Sequence, residues 1–225
     1  MIRRLAMLAL AGLVLAGCLG KTTDSPAPID IKSPGQWSAL APMPTARQEV
    51  AVAVLDGRVF VIGGLGEASE PVATVEVYDP AADRWSEAPP MPTARDHLTA
   101  VAFQGRLWAI GGRTSFMGTQ YATVEIFDPA TDAWSTGTPL PVGRGGLAAA
   151  ALGDAVYVFG GEAPLRIFSA TEMYEVAGNR WIGKDPMRTP RHGIGAAVVG
   201  GKIYLPGGAT QPGFARTNVN EAYTP

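Results

Sequence analysis

The stretch "VFVIGG", Val59–Gly64, decides the fold, because the chain writes this apolar run with its closing glycine pair four times. The later copies read "LWAIGG", "VYVFGG" and "IYLPGG". The glycine pairs are Gly63 and Gly64, Gly111 and Gly112, Gly160 and Gly161, and Gly207 and Gly208. Successive pairs lie 48, 49 and 47 residues apart. A near-constant period of this length indicates a propeller or another repeat array.

Each copy carries further landmarks at a constant phase. An aromatic residue such as Tyr78 precedes a tryptophan by seven positions. The recurring side chains are the tryptophans Trp37, Trp85, Trp134 and Trp181, the glutamates Glu76, Glu125, Glu172 and Glu221, and the arginines Arg47, Arg95, Arg144 and Arg191. Short alternating apolar runs joined by turns such as Asp56–Gly57 predict hairpins. About four strands in each copy predict an all-β propeller with one blade per copy.

The glycine pair, the aromatic residue and the tryptophan, in this order, resemble the kelch repeat. The resemblance covers the chain from Trp37 to Pro225 and implies a kelch-type β-propeller of about four blades, each with four antiparallel strands. Departures from the repeat are Phe127, where a tyrosine is usual, and Pro206 in the last glycine-terminated strand.

The two ends of the repeat region predict how the ring closes. The last copy stops after Tyr223 without its tryptophan-bearing strand, whereas Trp37 and Arg47 have the same ten-residue separation as Trp85 and Arg95. Kelch propellers usually close with strands from both chain ends, so the resemblance implies that residues 36–47 complete the last blade. A monomer is then expected. Two chains sharing one ring is the alternative.

The N-terminal sequence predicts where in the cell the protein is located. Two arginines precede a short apolar run and the sequence "LAGC" ending at Cys18, which resembles the lipobox of bacterial lipoproteins. The resemblance implies a cleaved signal peptide at 1–17, a lipid on Cys18, a tether at 18–35 and the propeller at 36–225. An ordinary signal peptide is the alternative. We expect an envelope lipoprotein; the choice between inner membrane, outer membrane and cell surface stays open.

Composition excludes several function classes. The 225 residues are 47% hydrophobic and carry a net charge of −2, so no basic surface for nucleic acid is predicted. A copper site like that of the kelch relative galactose oxidase is excluded because the single cysteine is the lipid site. His97 and His192 differ in register and are a poor metal pair. No metal, cofactor or catalytic residue is therefore predicted.

Residues that recur in every copy are best explained by a role in folding, because folding is what all the copies have in common. We expect the repeat arginines to bind the repeat glutamates or backbone carbonyls, with a ring of four arginines around an anion as the alternative. Asp83, Asp132 and Asn179 stand between two strands, where turn formation explains them better than cation binding does.

Function is expected where the copies differ. The connections after the glycine pairs are long and variable, and they fall on one face of the propeller. The candidate ligand-binding residues are Arg113, Phe116, Tyr121, Arg166, Phe168, Phe214 and Arg216, with His97 and His192 nearer the axis. Aromatic and arginine side chains predict a protein or glycan ligand, although some aromatics could only pack their loops. A sialic acid mutarotase-like activity, with Glu49, Asp96 or a histidine moving a proton, is the alternative.

Overall fold

All the regular secondary structure of the described residues is β-strand. The computed structural model describes Gly35 and residues 37–213 and 215–225. The predicted signal peptide, Cys18, most of the tether and Phe214 lie outside the described residues. Leu40–Pro225 forms one compact unit. Within the described part of the chain, no helix is long and apolar enough to cross a membrane.

Short strands follow one another between residues 51 and 223, and neighbouring strands pair antiparallel. In chain order they are β1 (Ala51–Leu55), β2 (Arg58–Ile62), β3 (Val75–Asp79), β4 (Arg84–Ala88), β5 (Thr99–Phe103), β6 (Arg106–Ile110), β7 (Val124–Asp128), β8 (Ala133–Thr136), β9 (Ala148–Leu152), β10 (Ala155–Phe159), β11 (Glu162–Ala163), β12 (Arg166–Ile167), β13 (Thr171–Glu175), β14 (Arg180–Gly183), β15 (Ala197–Val199), β16 (Lys202–Pro206) and β17 (Asn220–Tyr223).

These strands form four blades, one for each copy of the repeat. Blade 1 has the order β1-β2-β3-β4 and blade 2 the order β5-β6-β7-β8. Blade 3 has the order β9-β10-β13-β14, with β11 and β12 as a separate hairpin in its variable loop. Blade 4 has the order β15-β16-β17. The predicted all-β, four-blade propeller is confirmed.

The core lies between the blades. Each of the three hydrophobic clusters joins residues of two successive blades. Trp108 of blade 2 meets Tyr174 of blade 3 with their ring centroids 4.9 Å apart. Phe159 of blade 3 meets Tyr223 of blade 4 at 5.7 Å. Since apolar burial is the main favourable term in folding, the blades stabilise one another.

Three of the repeat arginines, Arg95, Arg144 and Arg191, bond to the glycine pairs on both sides. The carbonyl of Arg95 accepts from the Gly64 amide of blade 1 at 3.0 Å, and its side-chain Nε donates to the Gly111 carbonyl of blade 2 at 2.8 Å. The carbonyls of Arg144 and Arg191 accept equivalent bonds. The arginine–glutamate ion pairs are Arg47–Glu76, Arg95–Glu125, Arg144–Glu172 and Arg191–Glu221. All four guanidinium groups are fully buried in these bonds, so none is available to an anion.

The predicted closure by the N-terminal strand is wrong. Blade 4 has three strands among the described residues, and residues 37–47 form no strand. Trp37 is fully exposed. The four blades follow one another around an axis and form an arc. A strand that matches the repeat can pair with β17 only if this arc brings blade 1 and blade 4 close together. That arc depends on the rotation between blades, which a repeat pattern does not specify.

Instead, the segment after Leu40 packs on blade 1. The Trp85 indole nitrogen donates to the Ala41 carbonyl at 2.9 Å, just as Trp134 donates to the Pro89 carbonyl at 2.8 Å. The Ala41 amide donates to the Asp83 carboxylate at 2.8 Å, and the Tyr78 hydroxyl donates to the same oxygen at 2.7 Å. Asp83 has a left-handed backbone in the turn, as do Asp132 and Asn179, which agrees with their predicted role as turn residues.

These bonds make the attachment of the segment sensitive to acid. The Ala41 amide, and then the Tyr78 hydroxyl, hold the pKa of Asp83 below its ordinary value of 3.8. Stability from the ionised carboxylate is therefore present above about pH 4 and is lost as the pH falls through the lowered pKa. We expect Asp83→Asn to lower the melting temperature at pH 7 and to lower it less near pH 2. Asp132→Asn is the control, because its turn faces Phe127, which has no hydroxyl. Equal effects of Asp83→Asn at both pH values would contradict the assignment.

Candidate ligand-binding site

Short bridges hold the variable residues of each copy beside the propeller axis. In each copy, the residue after the repeat arginine pairs with the residue after the glycine pair. Asp96 and Arg113, for example, exchange two backbone bonds of 2.9 Å. The bridged residues are Gln48 with Leu65, Asp96 with Arg113, Gly145 with Glu162 and His192 with Ala209. Conserved backbone geometry thus presents a different pair of side chains in each blade.

The next residue of each copy links the blades through its backbone. The His97 amide donates to the Glu49 carbonyl at 3.3 Å, the Gly146 amide to the His97 carbonyl at 2.8 Å, and the Gly193 amide to the Gly146 carbonyl at 2.8 Å. All four residues have φ between 52° and 65°. Glycine adopts this left-handed conformation freely, whereas other residues are strained in it. Glu49 and His97 are therefore held in a costly conformation at a place where two other copies use glycine.

These residues and the variable loops surround a cavity of about 1080 Å³. All four blades contribute to its lining. The lining residues are Gln48, Glu49, Leu65, His97, Arg113, Phe116, Glu162, His192, Gly193, Gly208, Ala209, Pro212, Gly213, Ala215 and Arg216. We call the face on which the cavity opens the loop face. Five of the predicted ligand-binding residues line this cavity: Arg113, Phe116, Arg216, His97 and His192.

A row of carboxylates alternating with basic side chains runs beside the cavity, and all its members except Asp96 line the cavity. We call it the axial row; in order, its members are Glu49, His97, Asp96, Arg113, Glu162 and His192. His97 contacts Asp96 through Nδ1 and lies 3.4 Å from the Glu49 carboxylate through Nε2. Farther along, Arg113 donates to Glu162 at 2.7 Å, and His192 lies 3.4 Å from the same carboxylate. Carboxylates and basic groups alternate, so the wall carries both signs of charge at close range.

The members of the axial row differ in accessibility. Glu162 is 1% exposed and also accepts from the Gly213 amide at 3.0 Å, so its main role is to hold the loop of blade 4. His97 is 20% exposed and Glu49 is 48% exposed, so a ligand can reach both. The Arg113 guanidinium lies 5.5 Å from the centroid of the Phe116 ring, which places an aromatic surface beside a cation. Glu49, His97 and Phe116 are the side chains best placed to contact a ligand.

The remaining candidates do not line the cavity. Phe168 is 5% exposed and lies between the guanidinium groups of Arg144 and Arg166, at 5.4 and 4.4 Å. Phe168 therefore packs its own loop, which is the alternative to ligand binding given above for the loop aromatics. Arg166 is exposed and Tyr121 is half-buried, both outside the cavity. Phe214 lies outside the described residues.

Sequence reasoning missed Glu162. It follows a glycine pair, at the position where the other copies have Leu65, Arg113 and Ala209. Comparison of the copies at that position would have found it, because a buried carboxylate needs a partner and Arg113 occupies the same place in the preceding copy. Within the described residues, no group of three or more His, Cys, Asp and Glu side chains is arranged to hold a metal ion.

Comparisons with known proteins agree with the fold. A family model described as the KLHDC2/KLHL20/DRC7 Kelch-repeats domain matches residues 29–161, more than half of the chain. An F-box/kelch-repeat protein of Arabidopsis thaliana is 38% identical over 72 residues, which cover 30% of this chain and 19% of that protein. Beta-scruin of Limulus polyphemus is 39% identical over 56 residues, covering 25% of this chain and 6% of that protein.

A solved structure extends the comparison. The structure of YjhT superposes with a TM-score of 0.69 at 22% sequence identity, covering 77% of this chain and 62% of YjhT. The chain thus spans less than two thirds of YjhT and about a fifth or less of these two curated relatives. The likeness to YjhT concerns the fold.

Proposed function

Because the chain belongs to the kelch-repeat family, we propose that it is a binding module of the bacterial cell envelope, anchored through Cys18, which presents its loop face to a protein or glycan ligand. The observation that carries the proposal is the cavity in which the variable loops of all four blades meet the axial row. Binding residues belong on variable loops that a rigid scaffold positions. The copies agree in the blades and differ at this cavity.

The backbone strain at Glu49 and His97 also supports this cavity as the binding site. A left-handed backbone at a non-glycine residue costs on the order of 1 kcal/mol. Glu49 and His97 carry this cost, while Gly146 and Gly193 avoid it at the equivalent positions. Nothing in the blade framework requires a side chain there, since two copies fold with none. The retained side chains are best explained by a contact they make outside the framework.

The chemistry of the cavity suits a ligand with several hydrogen-bonding groups. The carboxylate of Glu49, the imidazole of His97 and the guanidinium of Arg216 line the same cavity as the Phe116 ring. Saccharides and polar protein loops both offer hydroxyl or amide groups to such side chains and a flat face to an aromatic ring.

We expect ligand binding to depend on the loop face and to be independent of the opposite face. The chain beginning at Lys21 is incubated with envelope extracts and with an array of glycans. Phe116→Ala and Arg216→Ala should each weaken capture of the ligand about tenfold or more, since each removes one centre of contact. Arg58→Ala, an exposed change in the β1–β2 hairpin, is the control. Equal capture by all three variants would contradict the site.

A variant of the strained residues separates stability from binding. His97→Gly should melt close to the parent chain, because relief of the left-handed strain offsets the lost contact with the buried Asp96 carboxylate. It should nevertheless capture less ligand. A variant that binds as the parent does would leave the strain unexplained by ligand contact.

Membrane attachment is tested separately. Cys18→Ala should leave a folded domain but abolish retention in the membrane fraction, because acyl chains supply the anchor in lipoproteins. Fractionation of cells expressing the two chains measures this. Retention of the variant in the membrane fraction would contradict the lipoprotein proposal and would leave the proposed binding site untouched.

A catalytic function is the second candidate, and one contact favours it. His97 lies between the carboxylates of Asp96 and Glu49, and such an imidazole can take up and release a proton. The reaction to test is anomer exchange of sialic acid, followed by proton NMR. Loss of exchange in His97→Gln, with ligand capture retained, would favour the enzyme over the binding module.

A further inference from the structure

The two ends of the four-blade array carry complementary groups that lack the bonds made everywhere else between blades. Between successive blades, a glycine amide donates to an arginine carbonyl, and an amide two residues past an arginine donates to the carbonyl of the preceding copy. At the blade 4 end, the Gly208 amide and the Gly193 carbonyl have no such bond among the described residues. At the blade 1 end, the Arg47 carbonyl and the Glu49 amide make no bond of this kind within the part of the chain that the structure describes. Each unmade bond at one end matches an unmade bond at the other.

A groove runs along the free edge of blade 4. It has a volume of about 450 Å³ and is lined by β17 and by Asp185, Met187 and Phe159 of blade 3. Within the described part of the chain, β17 pairs only with β16. An unpaired strand edge presents amides and carbonyls ready to pair with another strand.

The other blades show what fills this position. Trp85 lies 5.1 Å from the Tyr78 ring centroid, and Trp181 lies 5.4 Å from that of Tyr174. The Trp181 indole donates to the carbonyl of Thr138, four residues after the tryptophan of the preceding blade. In blade 4, the equivalent aromatic ring is Tyr223. The equivalent carbonyl is that of Asp185, four residues after Trp181. Both residues line the groove.

We propose that the groove binds the segment Trp37–Leu40 of a second copy of this chain, and that the exchange is reciprocal. By the register of β3 with β4, Trp37 would face Tyr223 and Ser38 would face Ala222. The Gly208 amide would then donate to the Arg47 carbonyl of the other copy. Outside blades 1 to 3, Trp37 of this segment and Arg47 beyond it are the one tryptophan and arginine at the repeat spacing. Trp37 is fully exposed and so is free to bind.

Apolar side chains at the two ends support an interface there. Val52 and Val54 on β1 are 54% and 60% exposed, and Val199 on β15 is 63% exposed. At the positions equivalent to Val52 and Val54, Ala100 and Ala102 of blade 2 pack against the core of blade 1. The exposed valines therefore occupy positions that are interblade core elsewhere, and a second copy would bury them.

The number of blades favours a dimer over a longer assembly. A contact between unlike ends generates a ring when the rotation closes and a filament when it does not. Two copies of the four blades described here make eight blades, within the usual range of four to eight for propellers, whereas three copies would make twelve. The proposal concerns the ends of the array and stands independently of the ligand of the loop face.

Disulfide trapping in cells tests the strand exchange. Full-length chains with two different tags are co-expressed, one carrying Ser38→Cys and the other Ala222→Cys. Oxidation should give a disulfide-linked product with both tags, because facing residues of paired strands are close enough for a disulfide. The parent chain, whose only cysteine is Cys18, measures the background. Ser38→Cys with Ala82→Cys, an exposed turn residue of blade 1, is the matched control pair.

A glycine pair gives an independent readout. At Gly160, a Cβ would lie against the Arg191 carbonyl, whereas at the equivalent Gly207 its nearest neighbour among the described residues is the Thr217 carbonyl, 3.8 Å away. If the Arg47 carbonyl of a second copy sits against Gly207, Gly207→Ala should reduce the two-tag product about tenfold. Gly200→Ala should not, although Gly200 also has a left-handed backbone, since a Cβ there would meet no atom within 4 Å.

Three results would overturn the proposal. The first comes from a further variant that carries both Ser38→Cys and Ala222→Cys: a disulfide that forms only within single copies of it would mean closure within one copy. The second is a two-tag product no more abundant than that of the Ala82→Cys control pair. The third is a monomer mass for the parent chain by light scattering at micromolar concentration, a measurement that needs no variant.

Discussion

Arg144→Ala is expected to lower the free energy of unfolding by about 3–5 kcal/mol, the usual cost of removing one partner of a buried ion pair. The Arg144 side chain is fully buried and donates to the Gly160 carbonyl at 2.7 Å, to the Val142 carbonyl at 3.0 Å and to Glu172. Alanine would leave the carboxylate and the carbonyls without their donors. Since domains are stable by only about 5–15 kcal/mol, this loss would remove a large share of the total stability.

Urea unfolding of Arg144→Ala beside Arg180→Ala separates this cost from the general effect of losing an arginine. Arg180 is in the same blade and pairs with Glu175, but its side chain is 66% exposed. An exposed pair contributes roughly 1 kcal/mol or less. A loss below about 1 kcal/mol for Arg144→Ala would mean that the guanidinium is replaceable, for example by water, and that the blades do not depend on it.

Gly160→Ala is expected to destabilise the chain by about 3 kcal/mol, near the upper end of ordinary single substitutions. Its backbone has φ of +58°, and a Cβ would lie against the Arg191 carbonyl. That carbonyl accepts from the Gly161 amide at 2.9 Å and joins blade 3 to blade 4. Alanine would therefore add a clash with the next blade to the backbone strain.

Gly153→Ala is the control for the strain that a left-handed backbone imposes on alanine. Gly153 is in the same blade with φ of +59°, and a Cβ there would meet no atom within 4 Å. It should cost only the left-handed strain, on the order of 1 kcal/mol. Thermal unfolding of the two variants measures the difference. Equal losses would show that the close approach of blade 4 to the glycine pair contributes nothing.

The repeat predicted the blades because the interactions that form each blade are between residues close in sequence. Hairpin turns, alternating strands and the glycine pair all act within about 50 residues, so copies that match in sequence match in structure. Closure is different, since it depends on the summed rotation of all the blades. Trp37 matches Trp85 in every local respect and yet lies exposed. The pairing partner of a terminal strand is a property of the whole arc.

The candidate site was predicted in part for a similar reason. Arg113 was predicted as a residue of a variable loop, and His97 and His192 as residues near the axis; all three line one cavity. Phe168 looked equivalent on its loop but is buried between two arginines. Composition alone does not tell a loop aromatic that contacts a ligand from one that packs. Only the path of the β11–β12 hairpin distinguishes them.

The bonds from each glycine pair to the next arginine have a consequence for how the molecule opens. They join a blade only to its immediate neighbours, so the domain is a linear series of coupled units rather than one indivisible core. A unit with a single neighbour opens at a lower free energy than one with two. Amides of β16 and β17 should therefore exchange with solvent sooner than those of β6 and β10. A second copy docked at both ends would give the terminal blades a second neighbour, and protein concentration would then decide which blade is the weakest.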